Sequence, residues 1–289
     1  MGKIRSFLQK KDIIFSGKRY GIDAMGAMAQ GLFCTLLVGT ILNTIGSQFN
    51  VGFFNAIIVT IGKGEGAVHY TIGGLASALV GPGIAVAIGF ALKAPALVLF
   101  SLIPVGFATN AMGGAGGPLA VYVVAIVACE FGKLVSKETK IDILVTPIVT
   151  ILVGIGLASL IAAPIGAAAS AVGHAVMWAT NLQPFLMGIV VSVIIGIALT
   201  LPISSAAICA ALGLTGLAGG AAVAGCCAQM VGFAVMSFRE NRWGGLVAQG
   251  VGTSMLQMPN IIKNPKIWIP PIPASAVTGP WPPACSNCR

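Results

Sequence analysis

Thr253, Ser254, Gln257 and Asn260 stand within one short run, GVGTSMLQMPN, of a 289-residue chain that is 57% hydrophobic and 8% charged. Hydroxyls and amides crowded in this way can replace the water around a hydroxyl-rich solute, and each polar group left unpaired in such a site costs about 1–3 kcal/mol. Gln249, Asn110 and Gln229 are second-choice candidates for the same role. The competing reading is that these side chains satisfy broken backbone or, for Gln229, that an interior amide joins two helices, a contribution of about 1 kcal/mol. Other chemistries have little to work with. The two histidines are His69 and His174, and there is no GxxxxGK[ST] nucleotide loop. No metal-ligand spacing occurs, and neither a metal nor a cofactor is expected. Cys34, Cys129, Cys209, Cys226 and Cys227 lie in apolar runs, where a thiol acts as a small hydrophobe. Cys285 and Cys288 form a lone CxxC, weak support for a redox or metal site.

The elements that position these groups belong to a membrane. Mean hydropathy is +0.98, and runs of about 20 apolar residues, the length of a spanning helix, recur along nearly the whole chain. The alternating pattern of an outer-membrane barrel is absent. The expected fold is an all-α polytopic helical membrane bundle, one transmembrane domain over 23–280 preceded by a basic segment over 1–22. The net charge of +9 comes from short cationic clusters beside apolar runs, which fits topology and not nucleic acid. Lys3, Arg5, Lys10, Lys11, Lys18 and Arg19 place the N-terminus in the cytoplasm by the positive-inside rule. FLQKKDII within that segment reads as a surface-lying amphipathic helix or as a tail.

A first span covers about 23–45. Residues 51–61 are too few to cross and lead into IGKGEGAVHY, so this region reads as broken or re-entrant. Its ionisable groups Lys63, Glu65 and His69 are either functional candidates or an interfacial loop with a Lys63/Glu65 pair. Spans follow at 71–92 and from 96, the latter running into ATNAMGGAGGP, where Gly113 and Gly117 have the spacing that lets helices approach closely. Helix 119–131 delivers Glu130 to a loop whose Lys133, Lys137 and Lys140 read as cytoplasmic. Separate helices are expected at 143–161, with a kink at Pro147, at 167–179, where His174 reads as a packing residue, at 185–201, and up to 238. The stretch 239–271 then mixes cations and amides with helix breakers. In a bilayer, such irregular backbone survives only where it is buried in protein or lines a wet cavity, so GVGTSMLQMPN reads as a re-entrant piece.

Sliding the chain along itself by 107 residues lays LVGPGIAVAIGFALKAP (79–95) on LMGIVVSVIIGIALTLP (186–202) with eight identities in seventeen. Both copies end in cationic loops, which favours a parallel internal repeat, an architecture in which carriers hold solute between the repeats. The runs EFGKLVSKETKIDILVTPIVTILVG (130–154), LQPFLMGIVVSVIIGIALTLPISSAAI (182–208) and AQMVGFAVMSFRENRWGGLVAQGVGTSMLQMPNIIKNPKIWIPP (228–271) resemble the EIIC-type membrane subunit of the bacterial phosphotransferase system, most closely the branch that includes perfringolysin O regulator-like membrane proteins. The resemblance implies a bacterial inner-membrane permease subunit that binds a sugar or sugar-like solute, sits in membrane lipid, works with cytoplasmic EIIB and EIIA phosphocarriers, and forms homodimers. The alternative is a membrane-bound sensor or regulator that does not transport. At most the chain is the membrane component of a protein-phosphohistidine–sugar phosphotransferase. The glucose-type His and Glu signature is absent, and no phosphoacceptor residue carries over.

From Trp281 the chain reads WPPACSNCR where another apolar helix is expected. Read one base earlier, codons for Trp-Pro-Pro-Ala-Cys give Leu, Val or Met, then Ala, a small residue, a variable position, and Leu, Val or Met again. The expectation is that 281–289 is an aberrant tail, the product of a frameshift or truncation.

Overall fold

The computed structural model describes residues 2–62, 67–205, 208, 209, 214 and 216–281. Lys63, Glu65 and all of the tail beyond Trp281 lie outside them. A short basic helix α1 (Gly2–Lys10) precedes α2 (Lys18–Gln48), which runs continuously through two wider π-type turns at Lys18–Asp23 and Phe33–Leu37. After α2 the segment expected to be broken or re-entrant is one helical turn, Gly52–Asn55, and an antiparallel hairpin of β1 (Val59–Ile61) and β2 (Val68–Tyr70). Branched and aromatic side chains at these positions favour pairing in strands, and the largely exposed Thr60 and His69 meet across it, Oγ1 to Nδ1 at 2.9 Å.

Next come α3 (Ile72–Ala78) and α4 (Val80–Ala91), bent by 56° at Leu79. Helices α5 (Ala96–Gly113) and α6 (Gly117–Val135) fold back on one another through GGAGG, where Gly114 takes φ +51°. The expected pair at 143–161 and 167–179 is a single helix, α7 (Asp142–Thr180), with Pro147 and Pro164 inside it. A proline removes one backbone donor, but in apolar surroundings neighbouring helices and local adjustment absorb the loss, so an internal Pro does not end the element. Helices α8 (Pro184–Thr200) and α9 (Gly216–Met236) follow. The last part is broken as the sequence predicts: α10 (Phe238–Val247) carries Arg242 at φ +50°, a π-type turn and a short 3-10 turn cover Ala248–Gly252 and Ser254–Gln257, and α11 (Met258–Lys263) and α12 (Pro271–Thr278) finish the described chain.

Among the described residues, four helical stretches are long and apolar enough to cross a membrane, or five if α3 and α4 form one bent span. Two buried clusters organise them. The first joins α2, α4, α5, α6 and the first half of α7, with Ile84, Ile88, Leu102, Val105 and Val124 at its centre. The second joins the far end of α7, through Val176 and Ala179, to Val191 and Ile195 of α8 and Ala221 of α9.

The repeat is visible in these contacts with one exchange of partner. In the first half α4 packs on α5 at Gly81 and Gly106, where a Cβ on Gly106 would lie 2.5 Å from the Gly81 carbonyl. At the corresponding Gly188 of α8 the neighbours are Gly279 and Pro280, directly after α12. Helix α12 also packs on α9, as α5 does on α6. The late helix α12 thus stands toward α8 and α9 as α5 stands toward α4 and α6.

Candidate functional site

Among the described residues, the apolar interior is interrupted by several polar contacts, and two clusters of them are extended. The first lies where the N-terminal segment meets the ends of α4 and α6. Lys133 is 1% exposed. It is a residue of helix α6, not of the expected loop, because α6 continues to Val135. Its ammonium donates to the carbonyls of Asp12 (2.8 Å) and Leu92 (3.1 Å) and lies 3.1 Å from the Glu130 carboxylate. Arg19 donates to Asp12 Oδ2 and to the Leu92 carbonyl, both at 2.7 Å, and Tyr20 donates to Glu130 at 3.0 Å. Leu92 closes α4, so both cations sit on the electronegative end of a helix, where its last carbonyls lack partners. Lys11 continues the clasp by donating to the Ser136 carbonyl and pairing with Glu138 at 2.5 Å. The segment over 1–22 is therefore tied down at this point. The Arg19 hydrogen bond holds the Asp12 carboxyl below its usual 3.8, and the Lys11 hydrogen bond lowers Glu138 likewise.

The second cluster contains no ion pair among its members. Gln249 Nε2 donates to Ser237 Oγ at 3.0 Å, Gln257 Nε2 donates to Gln249 Oε1 at 2.9 Å, and Asn260 Nδ2 donates to Gln257 Oε1 at 2.9 Å. The chain of amides begins at the end of α9 and runs through the broken segment to α11. Gln249 and Gln257 are buried and Asn260 is exposed. Ser237, Gln257 and Asn260 open into a cleft of about 430 Å³ that Glu240, Asn241 and Lys263 also line. These last three were not among the sequence candidates. Their signal is their spacing from the candidates: Asn260 and Lys263 are one helical turn apart, as are Ser237 and Glu240.

The six named candidates therefore divide. Gln257 and Asn260 line the cleft. Thr253 and Ser254 do not: Thr253 Oγ1 accepts from the Met255 amide and caps the 3-10 turn, while fully buried Ser254 meets Thr200 of α8 at 3.0 Å. Gln229 is fully buried inside α9, off the cleft. Asn110 sits in the first half, against Gly81 and Gly117 at the α5–α6 turn, and does not line the cleft. A larger groove of about 1030 Å³ between α2 and α4 is lined mostly by apolar side chains, Leu79, Val86 and Phe90 among them, with Asp23, Gln30 and Thr35 as its polar groups.

The fold is that of a multi-pass helical membrane bundle with a broken, amide-rich segment late in the chain. The chain belongs to the family Phosphotransferase system, EIIC, whose model matches residues 22–285. No curated protein and no solved structure matches it. It is accordingly the membrane permease component of a sugar phosphotransferase system, in which EIIC domains work with cytoplasmic EIIB and EIIA components.

Proposed function

We propose that this chain binds a sugar or sugar-like solute in the cleft between α9, α10 and α11, with Asn260 and Gln257 as the contacting amides and Gln249 and Ser237 holding them in place. The observation that carries the reading is the unbroken chain Ser237–Gln249–Gln257–Asn260, which fixes the orientation of its two buried amides, Gln249 and Gln257, and ends at the exposed Asn260. Each amide both donates and accepts, so a sugar hydroxyl can join the chain without leaving a partner unpaired. Lys263 at the rim adds a cation suited to a phosphorylated partner or product.

In this reading the cleft opens on the cytoplasmic side. Support comes from α11 packing against the start of α2, next to the cationic N-terminal segment, together with the positive-inside rule. EIIB would approach that face. The test is initial uptake of radiolabelled hexoses and hexitols by vesicles containing the protein with its EIIB. Asn260→Ala is expected to weaken the preferred sugar by about 1–2 kcal/mol, about a five- to thirtyfold loss of affinity, with little change in thermal stability. Unchanged uptake and affinity in a stable Asn260→Ala protein would remove the cleft from consideration.

A further inference from the structure

Gln229 is 0% exposed, and among the described residues neither its Nε2 nor its Oε1 has a hydrogen-bond partner. Both halves of the amide are thus desolvated without return, an arrangement native interiors seldom keep. Its position is informative. Residues 229, 233 and 237 recur at four-residue spacing on one face of α9. Ser237 belongs to the amide chain, and Phe233, 1% exposed, lines the cleft. Gln229 therefore lies one turn behind Phe233 as seen from the cleft.

On the facing helix, a Cβ at Gly196 would lie 2.8 Å from Gln229 Cγ, so α8 approaches this amide closely. Gly225 meets Ser192 in the same way, four residues earlier on both helices, so α8 and α9 run parallel here. One turn beyond Gly196, at the level of Phe233, the hydroxyls of Thr200 and Ser254 pair at 3.0 Å, both fully buried. Buried polar groups thus continue behind the cleft, the hydroxyl pair beside Phe233 and the Gln229 amide one turn further in.

We propose that Gln229 is the next binding position for the hydroxylated solute on its way through the protein, reached when Phe233 moves aside. A neutral amide with a free donor and a free acceptor matches a pair of neighbouring hydroxyls. The proposal rests on the cleft being the first binding position.

The experiment compares wild type with Gln229→Leu and, as a closer match in shape, Gln229→Met. It reads thermal stability in detergent, equilibrium binding, and vesicle uptake with EIIB, using whichever radiolabelled hexose or hexitol the wild type takes up best. The expected result is a raised Tm, because an unpaired amide has gone, with binding within twofold of wild type and uptake reduced at least tenfold. Uptake within twofold of wild type in either variant overturns the proposal, and so does a lowered Tm in both, which marks a structural amide. The cleft reading fails on a different observation, namely Asn260→Ala leaving binding and uptake intact. A wild type that takes up no member of the panel overturns both.

Discussion

Glu130 and Ser237 occupy corresponding positions of the repeat, 107 residues apart, and each anchors one of the two polar clusters. Around Glu130 every contact involves charge: Lys133, Arg19 and Asp12 meet one another and the open end of α4. Around Ser237 the hydrogen bonds join neutral hydroxyl and amide groups. The difference separates holding from binding. Removing one partner of a buried ion pair leaves the other charge stranded, at a cost of about 3–5 kcal/mol. A neutral hydrogen bond is worth about 1 kcal/mol net, so it can be exchanged for a solute hydroxyl and restored.

The contrast can be broken most forcefully at Lys133. Lys133→Met should cost about 3–5 kcal/mol, read as a fall in Tm of the detergent-solubilised protein, and adding Glu130→Gln should recover most of it. Ser237→Ala should cost about 1 kcal/mol. Equal effects at the two positions would erase the distinction. A smaller effect compares the halves through their glycines. Gly81→Ala presses a Cβ on the carbonyl of Gly106, in the middle of α5, whereas Gly188→Ala meets Gly279 and Pro280 beyond the end of a short helix that can yield. Overpacking of about 1–3 kcal/mol is expected at Gly81 and less at Gly188; the reverse order would contradict the exchange of partners between α5 and α12.

The smallest effect is one of pH. Asp12 and Glu138 are depressed from their usual 3.8 and 4.5. A carboxylate lowered by folding stabilises the protein above its unfolded value and loses that contribution as pH falls through the folded one. Acidification below about pH 4 should therefore release residues 11–19, seen as faster backbone hydrogen exchange, while Gln249 and Gln257 do not titrate.

Much of this arrangement is legible in the sequence, and the misreadings share a cause. The apolar runs give the helices, and the breakers in 239–271 give the irregular segment that holds the cleft, because both are local properties. Lys133 reads as a loop residue because charge ordinarily marks an aqueous edge; its burial depends on Asp12 and Leu92, distant in sequence. Asn110 shares the chemistry of Asn260 but is placed by the α5–α6 turn, which no local pattern ties to α11. The stretch 162–166 reads as a gap between two helices, yet the contacts of Gly166 with Gly113 and of Val176 with α8 carry one helix through. The substitution of α12 for α5 beside α8 is likewise a matter of tertiary partners alone.

Helix α7 has a mechanical consequence. Its 39 residues amount to about 58 Å at 1.5 Å per residue, well beyond a hydrocarbon layer about 30 Å thick. Its first half is gripped by the first cluster, through Ala158, and its far end by the second, through Val176 and Ala179. Pro164 falls between these grips and removes the amide that would bond the Leu160 carbonyl. The strut joining the two halves therefore lacks one backbone hydrogen bond at the seam, where the α5–α6 turn packs on it at Gly113, Gly116 and Gly166 in its place.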